Sequence, residues 1–493
     1  MADELWQRLL GETWATLDRE APDAPDSVPV WAGGLCLTGD PGHLPSRLPA
    51  EDAAIACAGT ALLAAAALHA GRGGPVLHPL RLDRAHVAAA FRSEAWLRVN
   101  GEPSGAGFAP LSRFWPAADG WVRTHGNYPW HRESLLRALG SRDDPDAVAA
   151  VIAGRGAREV EDLVTGAGGV AAAVRTEAEW RAEPAGQAVA AARLVEGCLD
   201  RFAAWDGVFS IDGAPPRRRE AGPLPASGIR VLDLTRVIAG PVATRFLAAL
   251  GADVLRLDPP HRPELPQQTY DGLLGKRSAL LDLGTRDGAA RLHELLAGAD
   301  VLVHGYRPHA LDRFGLTPAA LAERHPGLVV VSLSAWGRTG PWGGRRGFDS
   351  IVQAASGIAV AESPDGERPG ALPCQLLDHG TGYLCAATVL RALARQASGG
   401  GTLFRELSLA RTGHWLLSQP RSDTKAAAAA DRDPGPWLTT IASADGPVTV
   451  VRPAGRLDEQ GLDWPPTLTT YGSDPPAWLG LADSGQPTGT SVR

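Results

Sequence analysis

In the stretch "LPCQLLDHGTGYLCAATVLRALARQASGGG" (372–401) Asp378 is the single carboxylate, set beside glycines ahead of a long apolar run. An aspartate here has the chemistry of a nucleophile, since its carboxylate can attack an acyl centre and become a reactive mixed anhydride. From Thr381 on, Tyr383, Ala386, Ala387, Leu390, Leu393, Ala394 and Ala397 recur at helical spacing on one face. Asp378 is therefore expected just before the N-terminus of a buried helix, where free N–H groups and the positive dipole end would keep it ionised. Gly380 and Gly382 would allow close backbone approach, and their N–H groups could receive an oxyanion. A plain helix N-cap is the competing role for Asp378. The local pattern does not separate the two.

The elements that must position this residue follow a break at "IDGAPPRRREAGPLPASG" (211–228), a Pro/Gly-rich linker. After it "IRVLDL", "ADVLRLD", "RSALLDL", "DVLVHG" and "LVVVSLS" read as short buried strands. Helical patterns such as "PVATRFLAALG" and "TRDGAARLHELLAGA" alternate with them. Strands alternating with helices predict βαβ units, a parallel sheet and a ligand at the carboxyl ends of the strands. The first strand-to-helix loop, "TRVIAGP" (235–241), has only Gly240 where a dinucleotide fingerprint needs three glycines. Asp258 at the end of the second strand then makes a weak case, and an NAD enzyme is disfavoured.

The chain has 493 residues, 44% hydrophobic and 21% charged, with a net charge of −7. Two or three globular domains are expected. No basic stripe is present to neutralise phosphates along a duplex, so nucleic acid is not an expected partner. Five scattered cysteines without CxxC spacing predict reduced core thiols and no metal site. "MADELWQRLLGETWATLDRE" reads as an acidic amphipathic helix rather than a signal peptide. "AAIACAGTALLAAAALHAG" reads as a packing helix rather than a membrane span. A cytoplasmic protein with no membrane partner is the expectation.

A faint repeat links "EDAAIACAGTALLAAAALHAGRGG" to "LDHGTGYLCAATVLRALARQASGG", aligning Asp52 with Asp378. Shared flanks ("LRLDRAH", "LSLARTGH") favour descent from one unit. Asp52, with Glu51 and alanines beside it and no sheet half before it, reads as a structural relic.

Five segments in order resemble the class III CoA-transferases, the carnitine dehydratase and bile-acid-inducible protein F family that includes formyl-CoA transferase. They are "GIRVLDLTRVIAGPVATRFLAALGADVLRLDPP", "GKRSALLDLGTRDGAARLHELLAGADVLVHGYRPHALDRFGL", "LVVVSLSAWGRTGPW", "FDSIVQAASG" and the Asp378 segment, spanning about 228–401. The resemblance implies an α/β fold, with a Rossmann-like parallel-sheet CoA-binding domain and a smaller α+β domain. It implies CoA transfer between an acyl-CoA and a small carboxylic acid through aspartyl anhydrides, Asp378 being the nucleophile. No cofactor is held permanently; coenzyme A enters as substrate. Val237, Ile238 and Ala239 match the segment near the thioester and pantetheine arm. Lys276 and Arg277 would meet CoA phosphates. Arg313, with Phe314 beside it, matches the nucleotide region, and Gly305-Tyr306 replaces the family's Asn-Phe pair while keeping a ring for adenine. A racemase branch uses a histidine where this chain has Phe348, which cannot exchange a proton, so racemase activity is disfavoured; a racemase or isomerase of the same fold and a non-catalytic CoA-binding protein are the alternatives. His379 is expected to point away from the site, and His304 and His309 read as surface histidines.

The resemblance also divides the chain. Residues 1–210 are expected to be a degenerate copy supplying the small domain, in "PAADGWVRTHGNYPWHRESLLRALG", "DAVAAVIAGRGAREVEDLV" and "EAEW". Residues 211–228 are the linker, 229–410 the Rossmann-like core, and 411–493 a segment returning to the large domain. Family members interlock as dimers. This chain is expected either to do the same or to form an intrachain pseudo-dimer.

Overall fold

The computed structural model describes residues 2–18, 34–104, 107–197, 208–209, 222–399, 401–422 and 433–479. Cys198 and most of the 211–228 linker lie outside them.

Apolar runs flanked by helices make a central sheet buried on both faces. Its parallel strands are Arg230–Leu234, Asp253–Asp258, Arg277–Leu280, Val301–His304, Val329–Ser334 and Thr402–Ser408. Across the sheet they lie in the order third, second, first, fourth, fifth, sixth. This is the doubly wound order, whose crevice opens where the first and fourth strands diverge. Two short strands, Glu196–Gly197 and Val208–Phe209, pair antiparallel with Thr402–Ser408.

The crossover between the fifth and sixth strands is the helix Leu376–Gly399, apolar nearly all round and buried between the helices Ala50–Gly71 and Ala239–Ala249. A Cβ on Gly382 would lie 2.6 Å from the carbonyl oxygen of Ala239. This glycine is therefore required for helix approach. Ala50–Gly71 is, among the described residues, the one helix long and apolar enough to cross a membrane, yet 89% of its most apolar window is buried inside the protein.

The two halves of the repeat share an element order. Leu35–Thr38 and Leu80–Asp83 pair in parallel around the helix Ala50–Gly71, then lead into Arg84–Ala90. Likewise Val329–Ser334 and Thr402–Ser408 flank Leu376–Gly399 and lead into Leu409–Leu417. In each unit the last strand residue caps the following helix. Asp83 accepts from the N–H groups of Ala85 and His86, and Ser408 from that of Arg411. Asp52 stands in the first turn of its helix, while its neighbour Glu51 is buried and accepts from the backbone of Gly42, His43 and Leu44 and from Arg84.

Residues 111–173 build a separate core. The antiparallel strands Phe114–Ala117, Gly120–Thr124 and Ala171–Ala173 pack with helices Pro129–Leu139, Pro145–Ala153 and Ala157–Gly166. This unit is tied to the large domain through Glu161, which accepts from Arg175 at 2.7 Å and from Arg345 at 3.0 Å. Beyond residue 433 the chain reaches the large sheet again. Asp474 accepts from the Ser278 N–H at 2.8 Å, and the Trp478 indole donates to the Leu295 carbonyl at 2.9 Å.

Candidate active site

A cleft of about 320 Å³ opens at the carboxyl ends of the sheet. The loops after the first, second, fourth and fifth strands contribute Arg236, Val237, Ala239 and Gly240, then Pro259 and Arg262, then Gly305, Tyr306, Arg307 and Ala310, then Leu333–Ala335, and Arg345–Phe348 closes one side. Tyr128, Trp130 and His131 of the small domain form the opposite wall. Asp378, 6% exposed, sits at its base.

Asp378 is the third residue of its helix rather than the residue before it. The capping carboxylate is Asp349, whose Oδ2 accepts from the N–H groups of Leu377 at 2.8 Å and Asp378 at 3.0 Å. Gln353 donates to the other oxygen of Asp349. With the cap filled by Asp349, the Asp378 side chain is left to the cleft. Its surroundings do not favour the ionised form as expected. Burial, then the neighbouring Asp349 and Glu94, push it well above the usual aspartate range. Burial likewise pushes Asp349 up to about 6, against the pull of its hydrogen bonds.

Four sequence expectations are corrected. Gly380 and Gly382 lie within the helix, where their N–H groups belong to the helical ladder and cannot receive an oxyanion. Lys276 is fully buried under the sheet, 3.0 Å from Asp233 and 2.6 Å from the Thr244 hydroxyl, and so cannot reach a ligand phosphate. Arg277 begins the edge strand, away from the carboxyl ends, and is bound to Asp253 at 2.8 Å and to the Ala477 carbonyl. Arg313 and Phe314 lie outside the cleft. With Arg286 and Arg324 they line a second depression of about 550 Å³. Of the first loop, Val237 and Ala239 line the cleft, and Ile238 packs into the main core.

Val237 adopts φ +68, rare for a β-branched residue. Its N–H donates to Glu264 at 3.1 Å. Glu264 belongs to a buried network beneath the loop, accepting also from Arg256 at 2.8 Å and from the Tyr128 hydroxyl. Burial works against ionisation of Glu264, but Arg256 and Arg236 outweigh it and hold the carboxyl down to about 2. Asp258 is fully buried in the same network, bound to Arg256 at 2.7 Å, and is closed to a ribose.

His379 is buried and bound to Glu94 at 3.1 Å, directed away from the cleft. His309 is exposed beside Asp312, whereas His304 is half-buried with its Nδ1 unpartnered. Gly305 and Tyr306 line the cleft as expected, and Phe348 lines it too.

The sequence reading missed the cations. Arg236, Arg262, Arg307 and Arg346 all line the cleft. Arg236 lies over Tyr128 (5.1 Å) and Trp130 (5.6 Å), and Arg262 over Trp130 (5.3 Å). Burial and these four arginines together press the His131 imidazole down to about 3, so it stays neutral in a strongly positive field. The signal was present as an aromatic cluster in "NYPWH" and the pair Arg345-Arg346. Nothing in one sequence joined them across two domains.

Residues 226–445 match the family model described as CoA-transferase family III. The chain is 34% identical over 190 residues to a Mycobacterium tuberculosis protein named "Probable fatty acyl-CoA transferase Rv3272", covering 36% of this chain and 48% of that one. It is 36% identical over 186 residues to the formyl-CoA:oxalate CoA-transferase of Streptomyces coelicolor, covering 35% and 45%. The orthorhombic crystal structure of Rv3272 superposes at 31% identity and a TM-score of 0.38, over 40% of this chain and 57% of that one. The chain spans about half the length of the curated relatives it matches. The likeness to CoA-transferase family III thus lies within residues 226–445.

Proposed function

We propose that the protein is a CoA-transferase that moves CoA between an acyl-CoA and a carboxylic acid, with Asp378 as nucleophile. The observation that carries this reading is the location of the Asp378 carboxylate at the base of an arginine-lined cleft at the switch point of the sheet. Arg262, Arg307 and Arg346 suit the CoA phosphates. Trp130 and Tyr306 offer rings to the adenine, and the Val237–Gly240 loop borders the path of the pantetheine arm towards Asp378.

In this mechanism Asp378 attacks the thioester carbonyl, CoA leaves as thiolate, and an acyl-aspartyl anhydride forms. The thiolate then attacks the aspartyl carbonyl, releasing the first acid and leaving Asp378 as a CoA thioester. The second acid repeats the sequence in reverse and leaves as its own CoA ester.

Borohydride or hydroxylamine added during incubation with acyl-CoA should modify Asp378, as read by peptide mass mapping. Absence of modification with a broad panel of esters would refute the reading. Replacing Arg262 or Arg346 by Gln should weaken CoA binding about 10-fold each, with a shallower salt dependence, in titrations at two ionic strengths.

The buried carboxyl pair gives a pH prediction. Only ionised Asp378 attacks, so kcat/KM for the acyl-CoA should rise with pH along a limb lying above the ordinary aspartate range. Asp349→Asn removes one like charge while keeping an acceptor for the helix N–H groups, so this limb should move to lower pH. Stability should respond in a definite sense. A folded-state carboxyl raised from 3.8 to about 6 favours the fold below the lower value and loses that advantage as pH climbs through the upper one. Asp349→Asn should therefore gain stability relative to wild type above about pH 6, measured by thermal melts across pH.

A further inference from the structure

When Asp378 attacks a thioester, the carbonyl oxygen becomes negative, and the helical ladder already claims the N–H groups of Gly380 and Gly382. The wall opposite Asp378 holds a polar group that is still unassigned. His131 lines the cleft as the third residue of the helix Pro129–Leu139. One and two turns further on, Leu135 and Leu139 are core residues of the small domain. His131 continues their stripe to the start of the helix, where the stripe meets the cleft.

The imidazole is caged by rings. Tyr128, Trp130 and Phe348 have centroids 5.7, 5.9 and 5.7 Å away, each ring at a steep angle (86°, 78° and 67°). Phe348 lines the cleft too, and the residue after it is Asp349, which accepts the Asp378 N–H at 3.0 Å. His131 therefore packs on the immediate neighbour of the cap of the Asp378 helix. It is only 7% exposed, yet among the described residues its ring has no hydrogen bond and no ion pair, and Nδ1 is a buried orphan. An unmet polar group at this depth is costly, and a ligand in the cleft is what can meet it. With Nδ1 sealed, the edge of the ring left to the cleft is that of Nε2. Buried N–H groups are left unpaired more rarely than buried acceptors, which places the proton on Nε2. Burial and the four cleft arginines keep the ring neutral, so it is a donor that does not give up its proton.

We propose that His131 is a catalytic residue that donates its Nε2–H to the thioester carbonyl oxygen as Asp378 attacks. This deepens the CoA-transferase reading and rests on it. An Asp378 oxygen bonds to the carbonyl carbon, and the π pair of the carbonyl moves onto its oxygen, where the His131 N–H holds the charge. When the carbonyl re-forms, the carbon–sulfur bond breaks and its electron pair leaves on the CoA thiolate. The proton stays on His131 throughout. Because the full charge exists only during the attack, the donor raises kcat more than affinity.

The test uses the full chain, with His131→Phe and His131→Leu, which lack the donor, and His131→Gln, which keeps an N–H. Exchange between acetyl-, succinyl- or hexanoyl-CoA and its own carbon-13-labelled acid gives kcat. Calorimetric titration with S-ethyl-CoA, a thioether without the carbonyl, gives the affinity of the ground state. In whichever donor-free variants fold, kcat should fall about 100-fold or more, with S-ethyl-CoA affinity within about twofold of wild type. His131→Gln should recover about 10-fold of that loss. An unchanged kcat would overturn the proposal, as would a fall in S-ethyl-CoA affinity as large as the fall in kcat. Should none of the esters react in wild type, the transferase reading fails by itself. Infrared spectra of carbonyl-labelled acetyl-CoA bound to wild type and to a donor-free variant then decide the hydrogen bond. A carbonyl band at lower frequency in wild type alone upholds it, and equal bands or no bound ester remove it.

Discussion

Asp378→Asn is expected to lower acyl-CoA turnover by on the order of 10⁴-fold while leaving CoA affinity within about twofold. An amide of the same shape cannot attack a thioester to form an anhydride, so the covalent route closes. The fold should be indifferent or better for the change. Asp378 does not cap its helix, since Asp349 already fills that role, and a neutral side chain removes repulsion between buried carboxyl groups. A melting temperature equal to or above wild type is therefore expected together with the lost activity. Were Asp378 only a structural residue, the opposite pattern would appear, with activity retained and stability reduced.

Lys276→Met should produce the largest loss of stability. The ammonium group is buried between Asp233 (3.0 Å), the Thr244 hydroxyl (2.6 Å) and the Pro241 carbonyl (3.2 Å). Burial draws its pKa down to about 8, partly offset by Asp233, so it remains charged at neutral pH. Removing it strands the Asp233 carboxylate beneath the sheet, and breaking such a buried pair costs about 3–5 kcal/mol. Denaturant titration should show that loss, and the double replacement Lys276→Met with Asp233→Asn should recover most of it. CoA affinity of the folded variant should stay within about twofold, whereas a phosphate-binding lysine would lose far more.

The contrast at Lys276 indicates what a single sequence carries. The strand and helix periods were readable because apolar runs of four to seven residues, bounded by glycine and proline, admit few alternatives. They placed five of the six parallel strands of the central sheet and the crossover helix, and with them the cleft at the carboxyl ends; Thr402–Ser408 was not read as a strand of that sheet. The place of Asp378 at the start of the crossover helix was legible for the same reason, although the local pattern did not separate a nucleophile from a helix cap. Whether a cation beside a strand faces ligand or core was not legible. It depends on which neighbour lies underneath, and Asp233 is 43 residues away in the chain from Lys276. Helix caps failed similarly. The cap for Asp378's helix comes from Asp349, 29 residues earlier, and once it is in place the glycines that suggested an oxyanion site become packing residues between helices. The small-domain wall was the hardest part. Tyr128, Trp130 and His131 meet Arg236 and Arg262 only through tertiary folding, and each looks ordinary in its own segment.

The measurement that bears most directly on the covalent role proposed for Asp378 is isotopic. The protein is cycled with an acyl-CoA and an acceptor acid carrying oxygen-18 in its carboxylate, and the peptide containing Asp378 is then weighed and sequenced by mass spectrometry. An aspartyl anhydride leaves its bridging oxygen on the side chain when CoA takes the acyl group, so heavy oxygen should accumulate at Asp378 and at no other carboxylate. Product formed at full rate with no label in that peptide would contradict the account.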